Sequence, residues 1–308
     1  MISLHLKTIY KLGKWTISIG SVLFIFLKLK NASFTEIDLL MKTISLKPNF
    51  SVLTLLLILM FLNWLIEAAK WKIVLQNLQN ISVYTSYKSV LAGVAFGIVT
   101  PNRIGELVGR ILFIDEEKKI SASLLNIICS LLQLLVTLIF GAIAILFFKE
   151  NWLSQIPLLS LFSIAVLILI LIFCLLFLIQ KNPLLKQKIT EYLLPFKQIN
   201  IYKIAIIFGL SIFRYLVFTI QYILILRLFG IELDIVNTIV CVALNFFLIT
   251  IIPSYALAEI GIRGTVAVSI FSVYGIATLP VVSASLFIWI INLAIPALAG
   301  TIILIRET

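Results

Sequence analysis

Long uncharged hydrophobic runs alternate with short polar segments along most of the 308-residue chain. The runs long enough to cross a bilayer as a helix are 50–66, 120–148, 151–180 and 204–226. A shorter run at 15–27 can span if its flanking lysines snorkel, and a last run ends near residue 305. Because backbone polar groups must be paired within hydrocarbon, this pattern predicts an all-α polytopic membrane protein.

Two further apolar runs end in charged clusters. The run 89–99 is too short to cross and leads into Thr-Pro-Asn-Arg-Ile-Gly-Glu-Leu-Val-Gly-Arg at 100–110. The run 235–252 leads into a looser version at 252–263, with the same order of proline, glutamate and arginine. We therefore expect about six full spans plus two proline-broken re-entrant hairpins. Since 235–252 is itself long enough to cross, eight spans are the alternative.

The distribution of lysine and arginine predicts the orientation. With the N-terminus inside and both hairpins re-entrant, fourteen of these residues lie in inside loops and six in outside loops. The hairpins then enter from opposite sides, which makes an inverted-topology repeat with halves of about 1–150 and 151–308. We expect a single transmembrane domain over 1–308, in the cell (inner) membrane, with both termini cytoplasmic. Lys70, Trp71 and Lys72 are expected at the interface, with snorkelling lysines.

Composition narrows the possible functions. A hydrophobic fraction of 62%, a charged fraction of 12% and a mean hydropathy of +1.19 exclude a soluble globular domain. The net charge of +11 comes mostly from loop residues and does not indicate a nucleic-acid partner. The only histidine, His5, precedes the first span, and the three cysteines lie in apolar runs away from any CxxC spacing. We therefore expect neither a metal nor a cofactor.

The charged clusters are the candidate functional site. Arg103, Glu106 and Arg110 lie at i, i+3 and i+7, so they share one face of a helix, and Glu106 can bridge the two guanidinium groups. In the second cluster Glu259 and Arg263 form an i, i+4 pair. Ionisable groups at membrane depth are costly unless paired or hydrated, and they mark a functional site by default.

Arg214 lies near the middle of its span. With it, the candidate site contains four arginines and two glutamates and is therefore positively charged. Such a positive pocket suits a phosphate group, which arginine binds in a bidentate manner. The alternative is that these residues form internal ion pairs that hold broken helices together and bind nothing.

The prolines and glycines of both clusters are predicted to act as structural hinges. Pro101 and Pro253 each break a helix immediately before the charged residues. Gly105 and Gly109 have GxxxG spacing, which permits close approach of a neighbouring helix or a ligand, and Gly261 lies within the second cluster.

The stretch 100–110 resembles the hallmark of the lysylphosphatidylglycerol synthase transmembrane-region family of flippase-like membrane proteins. Asn63-Trp64 through Lys70-Trp71 resembles the second-helix signature, and the region 253–263 resembles the C-terminal one. The second motif departs from the family at 255–258, where Tyr-Ala-Leu-Ala replaces a glycine-rich stretch. In larger members this region is thought to move aminoacylated phospholipid that a separate soluble domain makes. The resemblance implies that this chain corresponds to the lipid-translocating region of the larger members, as a stand-alone protein without the synthase domain.

We therefore expect translocation of an anionic phospholipid or a polyprenyl-phosphate-linked lipid between leaflets. The expected substrate contacts are Arg103, Arg110 and Arg263, oriented by Glu106 and Glu259, with a further contact from Arg214. Since there is no ATP-binding motif, movement is expected to be downhill or coupled to an ion. Alternatives are a membrane enzyme or accessory subunit acting on a lipid phosphate, and a non-transporting scaffold. Against the enzyme alternative, the sequence shows no convincing nucleophile–base pair and no metal cluster. Expected partners are membrane lipids, with a separate lipid-modifying enzyme or a second copy as further candidates.

Overall fold

The computed structural model describes residues 50–98, 100, 103–148, 199–252 and 256–307, whose regular secondary structure is helical, with no strand among them. The helices are α1 (Phe50–Leu75), α2 (Val83–Ile98), α3 (Gly105–Ile111), α4 (Lys119–Phe147), α5 (Ile201–Leu228), α6 (Ile235–Ile251), α7 (Ala256–Phe271), α8 (Thr278–Trp289) and α9 (Ile295–Glu307). A π-helical turn, Ile290–Ala294, joins α8 to α9. The predicted all-α class is confirmed.

Four helical stretches in the described part of the chain are long and apolar enough to cross a membrane. They are α1, the stretch Glu116–Phe147 that contains α4, α5, and Thr278–Arg306. Helix α6 is apolar but shorter, with 17 residues. Large hydrophobic side chains such as Leu57, Leu131 and Ile220 are exposed on these helices, as expected for surfaces that face lipid.

These helices correspond to the predicted runs 50–66, 120–148, 204–226 and 235–252 and to the last run. The predicted spans at 15–27 and 151–180 lie outside the described residues, as do Pro101 and Pro253. The re-entrant course of the two hairpins and the inverted repeat stay predictions.

Local signals in the sequence set the turn between α5 and α6. Helix α5 is followed by Gly230, whose φ of 74° lies in the left-handed region that glycine adopts readily. The Asp234 side chain then caps α6, since it accepts a hydrogen bond from the backbone N–H of Asn237 at 3.0 Å.

Glycines allow the short helix α3 to lie directly against α2. A Cβ atom on Gly93 would be 2.7 Å from the carbonyl oxygen of Glu106, and one on Gly109 would be 2.6 Å from the carbonyl carbon of Ala92. A Cβ atom on Gly105 would be 2.7 Å from Thr100 Oγ1. These separations are too small for any larger residue, so the predicted close approach at Gly105 and Gly109 is confirmed.

Within the described ranges, the buried apolar side chains form two clusters. One is built mainly by α5, α6, α7 and α8, and the other by α1, α2, α4 and the start of α9. The charged residues described below are carried by helices of both groups. Arg214 of α5, for example, lies 3.2 Å from Glu67 of α1, so charged side chains also connect the two groups.

Candidate functional site

A buried cluster of charged side chains is centred on Glu67 of α1. Its carboxylate accepts hydrogen bonds from Lys70 Nζ at 3.0 Å and from Arg110 Nη2 at 2.9 Å. It also lies 3.2 Å from Arg214 Nη1. Glu67, Lys70 and Arg110 are 5%, 0% and 3% exposed. Charges are tolerated at such burial only when they are paired, so Glu67 joins α1, α3 and α5 through its three cations.

Neutral amides complete the coordination of the buried cations. Arg110 Nη1 donates to Asn126 Oδ1 at 2.9 Å, and Lys70 Nζ donates to Gln133 Oε1 at 3.0 Å. Both acceptors belong to α4, so this spanning helix is also tied to the charged cluster. Each buried cation therefore has a carboxylate and an amide as partners, which satisfies most of its donors.

Arg214 is fixed by a chain of amides and by an aromatic ring. Its Nε donates to Asn63 Oδ1 at 2.8 Å, and its guanidinium carbon lies 5.3 Å from the centre of the Trp64 ring. Asn63 in turn donates to Asn292 at 3.4 Å, and Asn292 donates to Gln221 at 2.8 Å. Asn292 belongs to the π-helical turn, a feature that is frequent at functional sites.

In the first charged motif Glu106 lies between Arg103 and Arg110, as predicted. Glu106 Oε1 accepts a hydrogen bond from Arg110 Nη2 at 2.7 Å, and Glu106 Oε2 lies 3.6 Å from Arg103 Nη2. Arg103 itself precedes α3 and has a φ of 57°. This left-handed conformation is uncommon for residues other than glycine and is often found at functional sites. Because Arg103 lies outside the helix, the predicted common helical face includes Glu106 and Arg110 but not Arg103.

The second motif forms the predicted ion pair on α7. Glu259 Oε1 accepts hydrogen bonds from Arg263 Nε at 2.9 Å and from Arg263 Nη2 at 2.6 Å. Glu259 is buried, whereas the Arg263 side chain is partly exposed. Gly261 is also buried on this helix. The pair thus holds the guanidinium group in place while leaving Nη1 of Arg263 without a bond to Glu259.

Arg103, Arg214 and Arg263 line one cavity of about 180 Å³. Their side chains are 31%, 20% and 18% exposed, so all three are accessible. Aromatic side chains, including those of Trp64 and Trp289, form much of the remaining wall. The three arginines come from the turn before α3, from α5 and from α7, so only the folded chain brings them together.

The structure separates Arg110 from the other predicted phosphate contacts. Arg110 is buried by Glu67, Glu106 and Asn126, and it is not among the residues that line the cavity. This position favours a supporting role, in which Arg110 orients Glu106 and through it Arg103.

The predicted interfacial position of Lys70 and Trp71 is wrong. Helix α1 continues to Leu75, and both side chains are fully buried. Trp71 Nε1 donates to Ser89 Oγ of α2 at 2.9 Å, because α2 packs over this end of α1. The polar positions 63, 67 and 70 follow i, i+4 and i+7, and that stripe is the signal in the sequence for a buried polar face.

The profile of the family described as Lysylphosphatidylglycerol synthase TM region matches residues 13–300. The match includes both charged motifs, the Glu67 cluster and all residues that line the cavity. No curated protein and no solved structure matches the chain with significant similarity.

Proposed function

We propose that the chain, which belongs to the lysylphosphatidylglycerol synthase TM region family, moves an anionic lipid between the two leaflets of its membrane. The family and the apolar helices indicate a multi-pass membrane protein with a lipid-related function. The proposed cargo is an anionic phospholipid or a polyprenyl-phosphate-linked lipid. The observation that carries the proposal is that Arg103, Arg214 and Arg263 line the same cavity.

The position and charge of this cavity suit an anionic headgroup. Arg214 lies midway along α5, a helix of 28 residues, which supports a position of the cavity at the depth of the hydrocarbon core. An unpaired ion at this depth costs several kcal/mol, and guanidinium groups that bond to a phosphate reduce this cost. The acyl chains would remain in the bilayer, against the exposed apolar faces of the helices.

The proposed path uses the two hairpins, α2–α3 and α6–α7, as re-entrant elements on opposite sides of the cavity. Movement would follow the lipid gradient or be coupled to an ion. Glu106 and Glu259 are the candidate coupling groups, because each of them pairs with an arginine of the cavity wall. Protonation of either glutamate would release that arginine for the headgroup.

The proposal is tested in proteoliposomes that contain a fluorescent anionic lipid. Dithionite destroys the outer-leaflet fluorophores, so the rate of further loss measures crossing from the inner leaflet. Each of Arg103→Ala, Arg214→Ala and Arg263→Ala is expected to slow crossing about tenfold, the effect of losing one charge-assisted hydrogen bond. Arg227→Ala, at an exposed position in the last turn of α5, is the matched control.

Two results would contradict the proposal. One is crossing at the wild-type rate in all three cavity variants. The other is chemical conversion of the lipid, detected by mass spectrometry, without any crossing. The second result would favour an enzyme that acts on a lipid phosphate.

A further inference from the structure

Four N–H groups in the cavity wall have no hydrogen-bond acceptor among the described residues. They are Trp64 Nε1, Trp289 Nε1, Arg103 Nε and Arg103 Nη2, and all four are shielded from water. Arg103 Nη2 lies 3.6 Å from Glu106, which is an ion pair beyond hydrogen-bond distance. Indole and guanidinium groups only donate hydrogen bonds, and buried donors are nearly always paired. A ligand oxygen that reaches these donors would satisfy them, and the accessible side chains of Arg103, Arg214 and Arg263 add further donors to the same wall.

The amide oxygens of the cavity wall are already engaged, whereas the Tyr215 hydroxyl, which has no partner among the described residues, can accept as well as donate. Asn63 Oδ1 accepts from Arg214, Gln133 Oε1 accepts from Lys70, and Asn292 Oδ1 accepts from Asn63. The nearby carboxylates are also occupied by arginine, as described above. An ammonium group in the headgroup would therefore find three arginines and no uncommitted carboxylate in the described wall.

The formal net charge of the whole site is +2. The site contains five cations and three carboxylates, namely Lys70, Arg103, Arg110, Arg214 and Arg263 with Glu67, Glu106 and Glu259. A phosphate monoester carries about −1.5 to −2 charges near neutral pH and has three strong acceptor oxygens. A phosphodiester carries only a single charge and has two such oxygens, so the monoester matches the site better.

We infer that the cavity selects a lipid phosphomonoester without an amine, such as a phosphatidate or a polyprenyl monophosphate. The cavity volume of about 180 Å³ fits a compact headgroup of this kind. This inference rests on the proposed function in one respect: that the selected lipid then crosses the membrane. The binding preference itself can be measured without transport.

The test is a binding measurement on the purified full-length chain in mild detergent. The probes are dioctanoyl phosphatidate, dioctanoyl phosphatidylglycerol, dioctanoyl phosphatidylethanolamine, a short polyprenyl monophosphate and inorganic phosphate. We expect one or both lipid phosphomonoesters to bind at least tenfold more tightly than the other lipids and than inorganic phosphate. The two monoester lipids identify which apolar tail the chain accepts.

Two variants remove donors while keeping the charge of the site. Trp289→Phe deletes one indole N–H, and Arg103→Lys replaces the guanidinium donors with a compact ammonium group. Each is expected to weaken phosphomonoester binding about tenfold and phosphodiester binding much less. Trp71→Phe is the matched control, since its indole bonds to Ser89 outside the cavity wall. It should preserve the ratio of the two affinities.

Equal affinities for the monoester and the diester, unchanged in Trp289→Phe and Arg103→Lys, would overturn the inference. Transport of anionic lipids could still occur in that case, and the proposed function would stand. Binding of inorganic phosphate as tightly as the lipids would overturn the assignment of a lipid ligand. Tight monoester binding without crossing in proteoliposomes would support the inference and contradict the proposed function.

Discussion

Replacement of Glu67 by alanine is expected to destabilise the whole helical assembly. The substitution removes a carboxylate that contacts Lys70, Arg110 and Arg214 at 3.0, 2.9 and 3.2 Å. These cations belong to three different helices, and the lysine is fully buried. After the substitution the same volume holds three cations with Glu106 as their remaining carboxylate, at a depth where solvent screens them weakly.

The structure sets the size of the effect. Removal of one partner from a buried ion pair costs about 3–5 kcal/mol, because the other charge stays buried without compensation. Lys70 and Arg110 keep their amide partners, Gln133 and Asn126, which limits the loss. We therefore expect about 4 kcal/mol, which corresponds to a decrease in Tm of roughly 10 °C for a chain of this size.

The assay is thermal unfolding in mild detergent, followed by the loss of the monodisperse peak in size-exclusion chromatography. Glu117→Ala, at an exposed position before α4, is the control and should leave Tm unchanged. The double variant Glu67→Ala/Lys70→Met also removes the buried cation, so it should recover about half of the lost stability. A Tm for Glu67→Ala equal to that of the control would refute the reasoning.

Three further predictions concern stability. Gly109→Leu should prevent α3 from packing on α2 and abolish the monodisperse peak, whereas Gly209→Leu, with open space around it, should not. Arg110→Ala should lower Tm by roughly 10 °C, whereas Arg103→Ala, at a partly exposed position, should leave it nearly unchanged while it slows transport. Asp234→Ala should lower Tm by a few degrees near neutral pH. Hydrogen bonds from Asn237 lower the pKa of Asp234, so this difference should disappear as the pH falls through that pKa and the wild-type cap is protonated.

Much of the fold follows from the apolar runs, because each run can satisfy its backbone in hydrocarbon only as a helix. The ends of the helices are less well defined by sequence. The lysines and tryptophan at 70–72 have the composition of a membrane interface, yet α1 continues through them to Leu75. Their burial depends on the packing of α2 against α1, and no local pattern encodes that contact.

The candidate site was predictable only in part. Spacing along a helix brings Glu259 to Arg263 and Glu106 to Arg110, and both pairs are formed. Arg103 has a φ of 57° and lines the cavity, whereas Arg110 is buried, and helical spacing does not predict this difference. The contact of Glu67 with three cations also joins helices that are distant in sequence, so it required the tertiary structure.

The most direct test of the arginine-lined cavity is the rate at which an anionic lipid crosses a proteoliposome as the charge at position 103 is changed. Arg103→Lys keeps the charge, Arg103→Gln removes it and Arg103→Glu reverses it. We predict that the rate falls in that order from the wild type and is about tenfold lower in Arg103→Gln, as in Arg103→Ala. The largest loss is expected with glutamate, which repels the headgroup. A rate that is the same in all four proteins would contradict binding of the headgroup by this cavity.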